Sequence, residues 1–145
     1  MGSVSRISPG IAWVSLCLAV ALHVADEAAN GFLAVYNPAV INVKQQLPMI
    51  PLPTFTFEVW IAGLTFTLML GLSLTPLVQR GTRWMRPVVM AVAVLMILNA
   101  LIHFTGSIAL GAVIPGTYSS PILLAVAGGA LLSATKSWRK PACAP

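Results

Sequence analysis

IAWVSLCLAVALHVADEAANGFLAV, residues 11–35, is the stretch on which the reading of this chain turns. It opens as an uninterrupted apolar run and is long enough to cross a bilayer, which takes about 20 predominantly apolar residues as a helix. It then carries His23, Asp26 and Glu27. A secretory leader would be shorter and would hold no such groups, so the segment reads as a retained membrane span although Arg6 precedes it. On a helix advancing about 100° per residue, His23, Asp26, Glu27 and Asn30 stand at offsets 0, +3, +4 and +7 and share one face.

The rest of the chain has the same character. Of its 145 residues, 58% are hydrophobic and 8% charged, with eight Lys and Arg against three Asp and Glu. Soluble domains carry about 25% charged residues. Too few charges are present to solvate a soluble globule, and no polar stretch is long enough for a separate extramembrane catalytic or nucleic-acid-binding domain. Cys17 and Cys143 lie far apart, which argues against a disulfide framework or a zinc knuckle. Three further spans are predicted, over about 55–78, 87–109 and 121–134. Breaks at Asn37-Pro38, Arg80-Gly81, Pro115-Gly116 and Lys136 bound them. The expected fold is an all-α, four-helix transmembrane bundle forming a single membrane domain.

Orientation follows from the cations of the short loops. Arg6, then Arg80, Arg83 and Arg86, then Lys136, Arg139 and Lys140 fall on one side of a four-span drawing, and only Lys44 on the other. Both termini are therefore expected in the cytoplasm and the protein in the cell membrane as a multi-pass chain. Topology accounts for the positive charge without nucleic acid. The connection from Tyr36 to Thr54, with Pro38, Pro48, Pro51 and Pro53, suits a structured cap. Trp13, Trp60, Trp84 and Trp138 fall near span ends, as interfacial anchors do. Ala125, Gly129 and Ser133 form a small-residue stripe. It suits helix packing inside the bundle or, alternatively, a homo-oligomer contact.

All three acids and both histidines lie within predicted spans. Each such group costs from about 2.5 kcal/mol upward at membrane depth, so they are expected to face a shared cavity or one another. At about 1.5 Å per residue, His23 lies roughly 18 Å from the inner end of span one, Glu27 roughly 24 Å, and His103 roughly 24 Å along span three. Glu58 falls within about one turn of the outer end of span two. Asn99 and His103, four apart, share a face.

These residues carry a resemblance. The segment His23-Val24-Ala25-Asp26-Glu27, with Asn30-Gly31-Phe32 and Val35-Tyr36-Asn37, resembles the opening of the HXXEE-domain family of small membrane proteins. His103, in Asn99-Ala100-Leu101-Ile102-His103, matches that family's second histidine, and Pro115-Gly116-Thr117 matches the Pro-Gly part of its Tyr-x-Pro-Gly motif. Asp26 stands where the family has Glu, and Val113 where it has Tyr, with Tyr118 close by. The resemblance implies a membrane protein and no particular reaction.

Three functions are compatible with such a site, beside a purely structural polar lock. His23, Glu27, Glu58 and His103 could ligate zinc or iron, ligands from facing helices being how bundles build metal sites. Asp26 would then orient a histidine or act as a base, with Asn30, Asn99 and Tyr118 supporting. Without a metal, His23, Asp26, Glu27 and His103 form an acid/base array. Either version suits a hydrolase or isomerase acting on a membrane lipid or hydrophobic small molecule. The alternative is a small proton- or cation-coupled transporter, although the groups cluster in one half of the bilayer.

Overall fold

The computed structural model describes residues 7–136 and residue 138. Arg6, Arg139, Lys140 and Cys143 lie outside the described residues. Six helices run in order among the described residues: α1 (Pro9–Ala29), α2 (Phe32–Gln46), α3 (Phe57–Ser73), α4 (Thr75–Gln79), α5 (Met85–Leu110) and α6 (Ser120–Lys136). Among the described residues there is no strand. α1, the α3–α4 pair over Phe57–Gln79, and α5 are long and apolar enough to cross a membrane, and α6 is a shorter apolar helix of 17 residues.

α1 starts where sequence chemistry places a start. The Ser8 hydroxyl accepts from the Ile11 amide at 3.3 Å, and Pro9 occupies the first turn, where its missing N–H costs nothing. Its end differs from expectation. Asn30 closes α1 by donating from Nδ2 to the Asp26 carbonyl at 2.9 Å, and Gly31 follows in the left-handed region at φ +73°. Span one therefore stops at Ala29, and residues 32–46 form a separate helix through Asn37-Pro38. The break falls where a glycine can take positive φ; the proline is instead carried inside α2. Asn37 pins α2 to the chain ahead of α3, donating to the Phe55 carbonyl at 2.9 Å and accepting from the Phe55 amide at 3.1 Å. The 36–54 connection is thus structured, as its prolines suggested.

The bundle packs on small residues. On α6, Leu123, Ala127, Ala130 and Ala134 recur at helical spacing and are each at most 1% exposed. Leu123, Ala127 and Ala130 meet Ala93 and Ala100 of α5, and Ala12, Leu16 and Ala19 of α1, while Ala134 packs with Trp13, Met85 and Val89. Alanines let the three backbones approach closely, which is how apolar helices associate when hydrophobic expulsion from water is not available. The predicted packing stripe was a different one. Ala125 is exposed and Gly129 only half-buried, because the helix is rotated so that its other small face meets the core. Ser133 alone of the three is buried, donating to the Ile7 carbonyl at 3.2 Å.

Two of the tryptophans are likewise internal. Trp13 is buried and donates to the Gly71 carbonyl at 2.8 Å, tying α1 to α3. Trp60 is buried beneath Phe32, while Trp84 is exposed. At the opposite end from the site, Arg86 donates from Nε to the Ala134 carbonyl at 3.1 Å and so satisfies the end of α6.

Candidate metal centre

α1 carries His23 and Glu27 one turn apart on its buried face, and α5 brings His103 against them. All three are buried. The two imidazoles meet edge to face, with centroids 4.8 Å apart at 76°. Glu27 Oε1 stands 3.1 Å from His103 Nε2 and 3.6 Å from His23 Nε2. Each of the three offers one ligand atom within 4.8 Å of the others, so the group could hold a metal ion. Two ligand atoms about 2.1 Å from a tetrahedral ion lie about 3.4 Å apart, a value between the two Glu27 distances.

The surrounding hydrogen bonds fix the tautomer of His23. Asn99 Nδ2, a donor only, lies 2.8 Å from His23 Nε2, so that nitrogen carries a lone pair and the proton sits on Nδ1. Nδ1 lies 2.8 Å from the Ser119 hydroxyl, which accepts from it. Ser119 passes its own proton toward Asp26 Oδ2 at 2.7 Å, and its amide donates to the same oxygen at 2.9 Å. Asn30 donates to Asp26 Oδ1 at 2.7 Å. The order Asn99, His23, Ser119, Asp26 is one directed chain. A ligating histidine commonly has its far nitrogen anchored in this way, which fixes the ring and raises the basicity of the near one.

The turn before α6 supplies the remaining wall. Ser107 of α5 lies 2.7 Å from the Thr117 hydroxyl and accepts from the Ile114 amide at 3.2 Å, holding the turn down on α5. Gly116 then passes directly over His103. A Cβ there would lie 2.6 Å from His103 Cε1, and φ is +89°, so both contact and conformation require glycine. The Pro-Gly pair of the sequence motif is thereby explained as a lid on the second histidine. His103 Nδ1, beneath it, is buried without a hydrogen-bond partner.

The sequence-predicted residues separate cleanly. His23, Asp26, Glu27, His103 and Asn99 are brought together; Asn30 acts through Asp26. Glu58 is not. It is exposed in the first turn of α3, where an acid complements the helix dipole, and it is not among the grouped ligand atoms. Tyr118 is 70% exposed and supports nothing. The supporting hydroxyl belongs to the next residue, Ser119, whose place after Pro115-Gly116 was the available signal.

Comparison with known proteins agrees with the motif. Residues 14–129 match the family described as "protein of unknown function with HXXEE motif". No curated protein and no solved structure matches the chain. The matched region contains every residue of the centre, with Asp26 in the place of the family's first glutamate, and the chain belongs to the HXXEE family.

Proposed function

We propose that this is a four-span, multi-pass protein of the cell membrane with both termini cytoplasmic, and an intramembrane enzyme acting on a lipid-like or hydrophobic substrate. Its centre would hold zinc or iron through His23, Glu27 and His103. The observation that carries this reading is the convergence of three buried ligand atoms, one of whose histidines is anchored from behind by Ser119 and Asp26. Ionisable groups are too costly in a membrane interior to be gathered there without use. α6, packed along α5 and α1 and opening directly from the Gly116 turn, supports its assignment as the fourth span.

A bound ion supplies Lewis acidity, polarising a carbonyl or ester oxygen of the substrate. The protein's own groups do the rest. Ser119 and Asp26 hold His23 in one tautomer. Asn99 donates to the His23 lone pair that a metal would take, and with that lone pair engaged its amide would be available to a substrate oxygen. A hydrolase or an isomerase fits this arrangement.

A second reading, metal-free acid/base catalysis, is favoured by one specific contact. His103 Nε2 and Glu27 Oε1, 3.1 Å apart, already satisfy each other as a proton donor and acceptor. Elemental analysis of the detergent-purified protein separates the two. The metal reading expects stoichiometric zinc or iron, lost in Glu27→Gln and His103→Ala and retained in Glu58→Gln. Wild-type protein without bound metal, or equal retention in Glu27→Gln, overturns it in favour of the acid/base form.

A further inference from the structure

A second feature adjoins the centre on the side of α2 and α3. It is a cleft of about 310 Å³ lined by Phe32, Tyr36, Phe55, Val59, Trp60 and Gly63, among others. The aromatic rings form a continuous series: Phe55 to Tyr36 at 6.0 Å, Tyr36 to Phe32 at 5.4 Å, and Phe32 to Trp60 at 5.7 Å between centroids. Phe32 also stands 6.2 Å from the His103 ring, so a single phenyl group separates the cleft from the centre. Gly31, turning at φ +73°, is what swings Phe32 into that position at the head of α2.

Polar groups around the cleft are already engaged. The Tyr36 hydroxyl donates to the Pro53 carbonyl at 3.1 Å, Asn37 is locked on Phe55, and Thr67 donates to the Gly63 carbonyl at 2.8 Å. Polar groups of an occupant would find no free partner on its lining, which favours an apolar one. The volume lies at the lower end of ligand pockets, about 300–1,000 Å³, and is about ten waters' worth of liquid. One hydrocarbon chain end fits this volume.

We infer that this cleft seats the apolar end of a single hydrocarbon chain, with the polar head of the same molecule at the His23–Glu27–His103 centre and Phe32 as the partition between them. The inference rests on the proposed function only for what happens to the head; the seat for the chain stands on the cleft itself. Gly63 offers a way to test it without disturbing the fold. It lines the cleft, and a Cβ at this position meets nothing within 4 Å, so a larger side chain narrows the cleft without displacing its neighbours.

The experiment uses the full chain in phosphatidylcholine vesicles with a trace of palmitic acid bearing a terminal diazirine and an alkyne handle. After irradiation, adducts are located by peptide mass spectrometry. Labelling is expected to concentrate on residues 32–36 and 55–64. Gly63→Leu should lower it by about ten- to hundredfold, as filling a hydrophobic pocket by a methylene or more does, while labelling of the exposed Phe66 and Met69 is unchanged. Excess unlabelled palmitic acid should produce the same selective loss in the wild-type protein, so the result does not depend on one variant. Cleft labelling no stronger than at Phe66 and Met69, or indifferent to both Gly63→Leu and competitor, overturns the inference. Glu27→Gln separates the two proposals: cleft labelling that persists there without bound metal sustains the chain seat alone.

Discussion

The two flanks of α1 are built differently. On one flank α5 and α6 set buried alanines against those of α1. On the other, α3 touches α1 chiefly through Trp13 and Cys17 and is exposed along most of its surface. Of the most apolar stretch of α1, 39% is buried; of that of α3 and α4, only 6%. The tight flank holds the ligand geometry, since both histidines and Ser119 belong to helices or turns fixed by it. The loose flank holds the aromatic cleft. Rigidity where side chains converge, and slack beside the cleft, is the division of labour that the proposed lipid-like substrate would require.

That comparison can be broken first at the centre. His103→Ala or Glu27→Gln should abolish stoichiometric metal while the helices persist by circular dichroism, because the tight flank does not depend on either side chain. Loss of the fold instead would make the group a polar lock. Next in size, enlarging the tight flank should cost stability where enlarging the outer face does not. Ala127→Leu is expected to destabilise by about 1–3 kcal/mol through overpacking, whereas Ala125→Leu should stay within about 0.5 kcal/mol. Thermal unfolding in detergent measures both. Equal effects would mean that α6 is rotated from the orientation described.

Gly116→Ala tests the lid. Strain at positive φ costs of order 1–3 kcal/mol, and the added methyl must push the His103 ring, so metal affinity should fall along with stability. Smaller and more selective is Ser119→Ala, which leaves the ligands intact but releases His23 from Asp26. An outer-shell loss of this kind lowers metal affinity by about 10- to 100-fold. Asn99→Ala should act in the opposite direction, tightening metal binding, because its amide competes for the His23 lone pair. Zinc titration of the stripped protein distinguishes the signs.

Much of this was legible in the sequence, and the parts that were not have a common cause. Helical period alone unites His23, Asp26 and Glu27, and hydropathy alone places α5 and its His103 at a compatible depth. Neither records rotation about a helix axis. Glu58 has the right depth and faces outward; Ala125 and Gly129 have the right spacing and belong to the wrong side of α6. At the 115–120 turn the error is a single residue. Tyr118 and Ser119 both carry a hydroxyl, and the sequence does not record that Ser119 is the one turned inward while Tyr118 is exposed. Asn37-Pro38 is the break that the sequence suggests, whereas α1 ends before Gly31, whose positive φ interrupts the helix.

X-ray absorption at the zinc or iron edge of the loaded protein tests the shared centre most directly. Two imidazole nitrogens at about 2.0–2.1 Å and a carboxylate oxygen at about 2.0–2.2 Å are expected, with the imidazole scattering falling to one ring in His103→Ala. A spectrum with no imidazole in the wild-type protein, or one unchanged in that variant, would contradict the account.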